Sequence, residues 1–202
     1  MKGLMIKELL MLWRASRVFL LICIVFIIMS LLSQDNIIFL LMPIMISGLL
    51  PSTLLSYDER CRWQEFSGSL PVTRAQLVSA KYLLGLISMT GILLITALAH
   101  LIVRRYSAGA LFSMLGSIYG LSLFISAVSL PMMFKFGVEK GRLWYYVTLV
   151  LIGGASGASA GLAPELMQSE LPAVMKLVPL IGIVLYAVSW LLSIRFYEQR
   201  EF

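Results

Sequence analysis

The stretch SYDERCRWQEFSGSLPVTRAQLVSAK, residues 56–81, is the one long polar interval in a chain that is 60% hydrophobic and 13% charged. A soluble domain of 202 residues with that composition would lack the polar surface to cover its core. The interval therefore reads as a structured loop joining apolar, membrane-embedded segments. Ser56 followed by Glu59 fits a capping box that begins a short helix, and Gly68 is placed to end it. Thr73 with Gln76 forms a second capping box, with Val72 and Leu77 as its hydrophobic staple, and starts a helix that runs into the next apolar segment. In the first helix Glu59, Trp63 and Phe66 share one face, and Arg60 and Gln64 another. On these residues alone it reads equally as an interfacial helix anchored by Trp63 and Phe66.

Outward from this interval, the apolar runs are 18–33 and 37–55 before it, and 82–103, 107–134, 143–162 and 173–194 after it. Each is about long enough for a helix to cross a hydrocarbon core of ~30 Å at ~1.5 Å per residue, although the first is short and the fourth must tilt or overhang. Six spans place both termini on one side, together with the loops 56–81 and 135–142. That side then holds Lys2, Lys7, Arg14, Arg17, Arg60, Arg62, Arg74, Lys81, Lys135, Lys140, Arg142, Arg195 and Arg200, thirteen of the sixteen Lys and Arg residues. Only Arg104, Arg105 and Lys176 lie opposite, so the positive-inside rule makes the termini and both loops cytoplasmic.

The expected fold is an all-α polytopic membrane protein, one transmembrane domain over 1–202. It divides into an interfacial helix 1–17, spans in 18–55, the loop 56–81, spans in 82–134, the loop 135–142, spans in 143–194 and a cytoplasmic tail 195–202. The net charge of +6 sits on the cytoplasmic face, where anionic lipid headgroups are sufficient partners and nucleic acid is not required. Cys23 in the first span and Cys61 in a cytoplasmic loop read as reduced thiols. The basic, then apolar, start looks like a signal peptide, but Ser33-Gln34-Asp35-Asn36 follows with no small-x-small cleavage pattern, so an uncleaved span is expected.

Residues 2–17 make an amphipathic helix, with Leu4, Met5, Leu9, Met11 and Leu12 on one arc and Lys7, Arg14 and Arg17 opposite; Trp13 suits the interface. Small residues recur at helical spacing at Ser113, Gly116, Ser117 and Gly120, and at Gly153, Gly157 and Gly161. The second set is a candidate packing or dimer face, or a place where the helix breaks near the outer surface.

The chemistry available is limited. No Asp, Glu, Lys or Arg falls in the central part of any span, which disfavours a self-sufficient ion-coupled transporter; His100 and Lys176 lie near outer ends. Ser156 and Ser159 have no nearby base, there is no HExxH pattern, and there is no G-x-x-x-x-G-K-[ST] phosphate loop. No catalytic, metal or cofactor residue is assigned. Any work of transport must draw its energy from another polypeptide.

Tyr57-Asp58-Glu59-Arg60 with Trp63, Leu70-Pro71-Val72-Thr73-Arg74, Leu130-Pro131-Met132-Met133-Phe134-Lys135-Phe136-Gly137 and Glu139-Lys140-Gly141-Arg142 together resemble the permease subunit of type-2 (ABC-2 type) ATP-binding-cassette exporters in their compact bacterial, six-span form. The start Met1-Lys2-Gly3-Leu4 with Lys7-Glu8-Leu9 is similar too. The resemblance implies a coupling helix at Tyr57 to Phe66 (Tyr57, Asp58, Glu59, Arg60, Trp63, Phe66) docking on a separate ABC ATPase, and a second cytoplasmic contact at Lys135, Lys140 and Arg142. It further implies two ATPase copies that carry the ATP and Mg, a second permease, identical or related, and a place in the bacterial cell membrane. The chain is most similar to exporters of amphipathic peptides, the phenol-soluble modulins or antimicrobial peptides. Export of small drug-like molecules, and a membrane structural or regulatory subunit without transport, are the alternative functions; a neighbouring ATPase reading frame separates the last from the rest.

Overall fold

The computed structural model describes residues 3, 6–8, 10–11, 17–33, 37–61, 63, 73–103, 107–162 and 164–199, with side chains at all of these except 37, 108, 155–162 and 164–176. Among the described residues these helices follow in order: α1 Arg17–Leu32, α2 Ile37–Ser47, α3 Leu50–Arg60, α4 Arg74–Val103, α5 Ala108–Phe136, α6 Val138–Leu162 and α7 Pro164–Glu198. The described residues among the first eleven are also helical, and no described residue is in a strand. By length and composition, four helical stretches can cross a membrane: Ile38–Arg60, Arg74–Val103, Gly109–Phe136 and Leu177–Glu198. Arg17–Leu32 is apolar but shorter.

The second apolar run is one path made of two helices. Pro51 supplies no N–H in the first turn of α3, and the chain tightens before it, with Leu49 N donating to Ile46 O at 3.0 Å and Gly48 N to Met45 O at 3.1 Å. Neighbouring helices use the carbonyls just ahead of the break. Cys23 Sγ in α1 donates to Pro43 O, Ser122 Oγ in α5 to Ile44 O, and Tyr145 OH in α6 to Met45 O. An irregular turn in an apolar setting is stable only when its polar groups are met in this way.

Two expectations are corrected, and an alternative left open is decided. The helix expected to start at Ser56 already begins at Leu50 and passes through Ser56, because nothing in 52–56 interrupts it, and Glu59 caps a different helix. The loop expected at 135–142 contracts to Gly137, whose φ of 89° reverses the chain between α5 and α6 at no steric cost to a residue lacking Cβ. The run 153–161 does not break; α6 continues through it to Leu162. The Thr73–Gln76 box does form: Gln76 N donates to Thr73 Oγ1 and Thr73 N to Gln76 Oε1, both at 3.3 Å, and α4 starts at Arg74. Val72, Gly68, Phe66 and Trp13 lie outside the described residues.

At the centre α5 packs most extensively on α7, then on α6. The α5–α7 approach is glycine on glycine: a Cβ on Gly120 would stand 2.7 Å from backbone atoms of Val178 and Pro179, and one on Gly182 would stand 2.6 Å from Gly120 O. Gly153, by contrast, has nothing within 4 Å of its Cβ position. Intramolecular packing at Gly153 is therefore not found; the surroundings of Gly157 and Gly161 lie outside the described residues. Large apolar side chains stay exposed along α1, α4, α6 and α7, as surfaces facing lipid rather than water would.

Candidate functional site

Four charged residues from three segments meet at one end of the bundle. Lys7 and Glu8 from the N-terminal segment, Asp58 from α3 and Lys81 from α4 form a closed ring of opposite charges. Lys7 Nζ lies 2.7 Å from Asp58 Oδ1 and 3.3 Å from Glu8 Oε1, and Lys81 Nζ lies 2.6 Å from Glu8 Oε2 and 2.5 Å from Asp58 Oδ2. Glu8, Asp58 and Lys81 are buried, and only Lys7 reaches the surface, with 22% of its side chain exposed. Its ammonium also stands 4.0 Å from the centre of the Trp63 ring, within cation–π range. Each carboxylate thus receives two ammonium groups, which is what allows four ionic groups to leave water together.

Lys7 was expected on the polar arc of an interfacial helix, and Lys81 among the exposed cytoplasmic cations. Both instead turn inward, because Asp58 and Glu8 meet them there. Asp58 was expected among residues that face a partner, yet it is 3% exposed. Its neighbours take other directions. Tyr57 and Arg60 are exposed, and Glu59 Oε2 accepts from Val138 N at 3.1 Å, capping the first turn of α6. A carboxylate there satisfies a free N–H and lies at the positive end of the helix dipole.

That bond brings together two segments about eighty residues apart. Ser56, Glu59 and Arg60 from α3, with residues 136–140 and Arg142 from the α5–α6 corner, line an open cleft of about 590 Å³. Its lining carries the cations of Arg60, Lys140 and Arg142 and the carboxylates of Glu59 and Glu139. The corner is tight: a Cβ on Gly141 would fall 2.6 Å from Met133 Cα, so α6 leaves α5 at close range. Lys135 sits apart from the cleft, its ammonium 5.0 Å from the Phe196 ring and 5.2 Å from the Phe136 ring.

Beside the ionic ring runs an uncharged seam between α4 and α7. The buried Tyr82 hydroxyl lies 2.8 Å from Ser189 Oγ and 2.6 Å from Ser193 Oγ, while Tyr186 OH donates to Tyr82 O at 2.9 Å. Trp190 stacks on the Tyr82 ring at 5.7 Å and donates from Nε1 to Ser79 Oγ. Arg74 reaches across to the last turn of α7, donating to Glu198 O at 2.8 Å. Near the other end of α4, His100 is fully buried with Nδ1 3.0 Å from Thr96 O, which makes Nδ1 the donor; in the neutral ring Nε2 then accepts from Ser30 Oγ at 3.1 Å.

The model of the family described as ABC-2 family transporter protein matches residues 3–198. The chain belongs to that family. It is the membrane-spanning permease of an ABC transporter, a multi-pass protein whose family membership implies an ABC ATPase as partner. Comparison with curated proteins and with solved structures gives no match. In this permease the two contacts that sequence reasoning placed, Tyr57 to Phe66 and Lys135 to Arg142, meet in part: Glu59 and Arg60 share one charged corner with Lys140 and Arg142, while Lys135 does not line it. What it missed was Glu8 and Lys81. Their signal was a lysine that directly precedes the apolar run of α4, and an acidic residue among the apolar residues of the N-terminal segment.

Proposed function

We propose that this permease exports an amphipathic substrate, a toxin or antimicrobial peptide, with energy supplied by a separate ABC ATPase that docks on the charged corner. The observation that carries the reading is the Glu59–Val138 bond. It fixes α3 to the start of α6, so a push on Tyr57, Arg60 or Trp63 is passed to a long helix rather than lost in a loose loop. The interior favours such a cargo over an ion: Ser117, Ser122, Ser126, Ser129, Thr96 and Thr148 are buried polar residues, and among the described residues the buried carboxylates and lysine are Glu8, Asp58 and Lys81 of one cluster. In the assembly proposed, two permeases, identical or related, work with two ATPases that bind ATP and Mg. Six spans run through 18–33, 37–55, 82–103, 107–134, 143–162 and 173–194, with both termini and the charged corner in the cytoplasm of a bacterial cell. The cation distribution supports that orientation.

The test is transport into inverted vesicles carrying the permease and its ATPase. Labelled amphipathic peptide should accumulate with ATP and fail to do so when the ATPase loses its phosphate-loop lysine. Accumulation that survives the dead ATPase but collapses with the proton gradient would overturn the reading. Orientation is tested separately. Cysteines placed at Gln34, Ser107 and Ser169 should react with an impermeant thiol reagent in intact cells, and one at Ser69 only after permeabilisation.

A further inference from the structure

We propose that the buried ring of Lys7, Glu8, Asp58 and Lys81 positions the coupling segment, setting the direction in which residues 57–63 meet the ATPase; this rests on the function proposed above. Stability alone does not account for the ring. Four ionic groups drawn from three segments are held at a cost in desolvation, and apolar side chains of similar volume commonly fill such a site as stably or more so. What charges add is direction, because each bond has one geometry and an apolar contact tolerates many.

The direction has a consequence along α3. Successive residues of a helix are turned by about 100° at 3.6 residues per turn, so pinning Asp58 inward fixes the azimuth of the whole last turn. Tyr57 and Arg60, three apart, then share the outward face, and Glu59 is brought round to Val138 N. Two ammonium groups hold Asp58, one from α4 and one from the N-terminal segment, and that second ammonium also covers Trp63, which lies beyond the end of α3 at Arg60. Neither Lys81 nor Glu8 lines the charged cleft, and their ion pairs link them to α3 through Asp58 and to Lys7. A void of about 20 Å³ bounded by Asp58, Trp63, Lys81, Phe134 and Tyr197 adjoins the ring and leaves space for a slightly larger cation.

The experiment uses the full chain in nanodiscs, with Cys23 replaced by Ser and spin labels on the exposed native Cys61 and on Leu143→Cys in α6. Pulsed electron resonance reads the spread of distances between them, and titration with the ATPase reads affinity on the same samples. In the parent protein the distribution should be narrow. Lys81→Met should broaden it at least twofold and weaken ATPase binding about tenfold, as expected if the segment is correctly presented a tenth of the time. Lys81→Arg, which still faces both carboxylates, should restore both readouts. Because Lys81→Met leaves Glu8 and Asp58 short of one cation and can fail to fold, a second variant replaces the whole ring (Lys7→Met, Glu8→Leu, Asp58→Leu, Lys81→Met) and should be stable yet broad. A narrow distribution in that variant would overturn the positioning role. Broadening with unchanged ATPase affinity would leave the positioning role standing and place the docking site elsewhere, so the two failures are told apart.

Discussion

Lys81 and Tyr82 are adjacent in α4 and both are buried, at 4% and 0% exposure, yet they serve different kinds of polar cluster. Lys81 enters a ring of four charges that joins α4 to α3 and to the N-terminal segment. Tyr82, about 100° further round the helix, enters a seam of hydroxyls and stacked rings that joins α4 to α7. The neutral seam resists the loss of a member, since a serine left without its tyrosine can turn back to a carbonyl of its own helix. The ionic ring does not, since a carboxylate that loses its cation loses the charge that offset its burial. Neutral hydroxyls tie α4 to α7, and charges tie α4 to α3 and to the N-terminal segment.

The sharpest way to break this comparison is to remove one charge. Lys81→Met should lower stability by about 3–5 kcal/mol, the usual cost of stripping one partner from a buried ionic site, measured as thermal unfolding in a fixed detergent. A loss under about 1 kcal/mol would mean that the ring is hydrated and the contrast false. Tyr82→Phe should cost only about 0.5–1.5 kcal/mol, because the ring stacking on Trp190 survives and the net value of the lost hydrogen bonds is modest. ATPase binding should be unaffected by it. Ser193→Ala is milder still, at about 0.5 kcal/mol, since Ser189 Oγ remains 2.8 Å from the Tyr82 hydroxyl. If Tyr82→Phe proved as damaging as Lys81→Met, charge would not be what distinguishes the two clusters.

Helical character and the main apolar segments were legible in the residues, because hydropathy and capping are local. The Thr73–Gln76 box was read from spacing and is found. The break at Gly48–Leu49 was passed over, because a proline in an apolar run looks like a kink until one sees Cys23, Ser122 and Tyr145 arriving at the carbonyls before it. Glycine spacing was ambiguous for the same reason. Gly120 was marked with no hint that Gly182 would face it, and Gly153 was marked equally though a Cβ there would meet nothing within 4 Å. Gly153→Ala should accordingly shift thermal stability by no more than about 1 kcal/mol, in the favourable direction expected of alanine in a helix, unless a second permease packs there. The charged corner was half legible. Tyr57 to Phe66 and Lys135 to Arg142 were identified as separate contacts, but that Glu59 would tie them together depends on how α3, α5 and α6 converge. The inward turn of Asp58 depends on Lys7 and Lys81, 51 and 23 positions away in sequence.

The central claim is that an ABC ATPase engages the permease at this corner, and equilibrium binding of that ATPase to the chain in nanodiscs tests it most directly. Arg60→Ala and Trp63→Ala should each weaken binding by roughly thirtyfold, the equivalent of about 2 kcal/mol for residues at the centre of an interface, while Gln199→Ala leaves it unchanged. Binding within twofold of the parent for both Arg60→Ala and Trp63→Ala would contradict the claim.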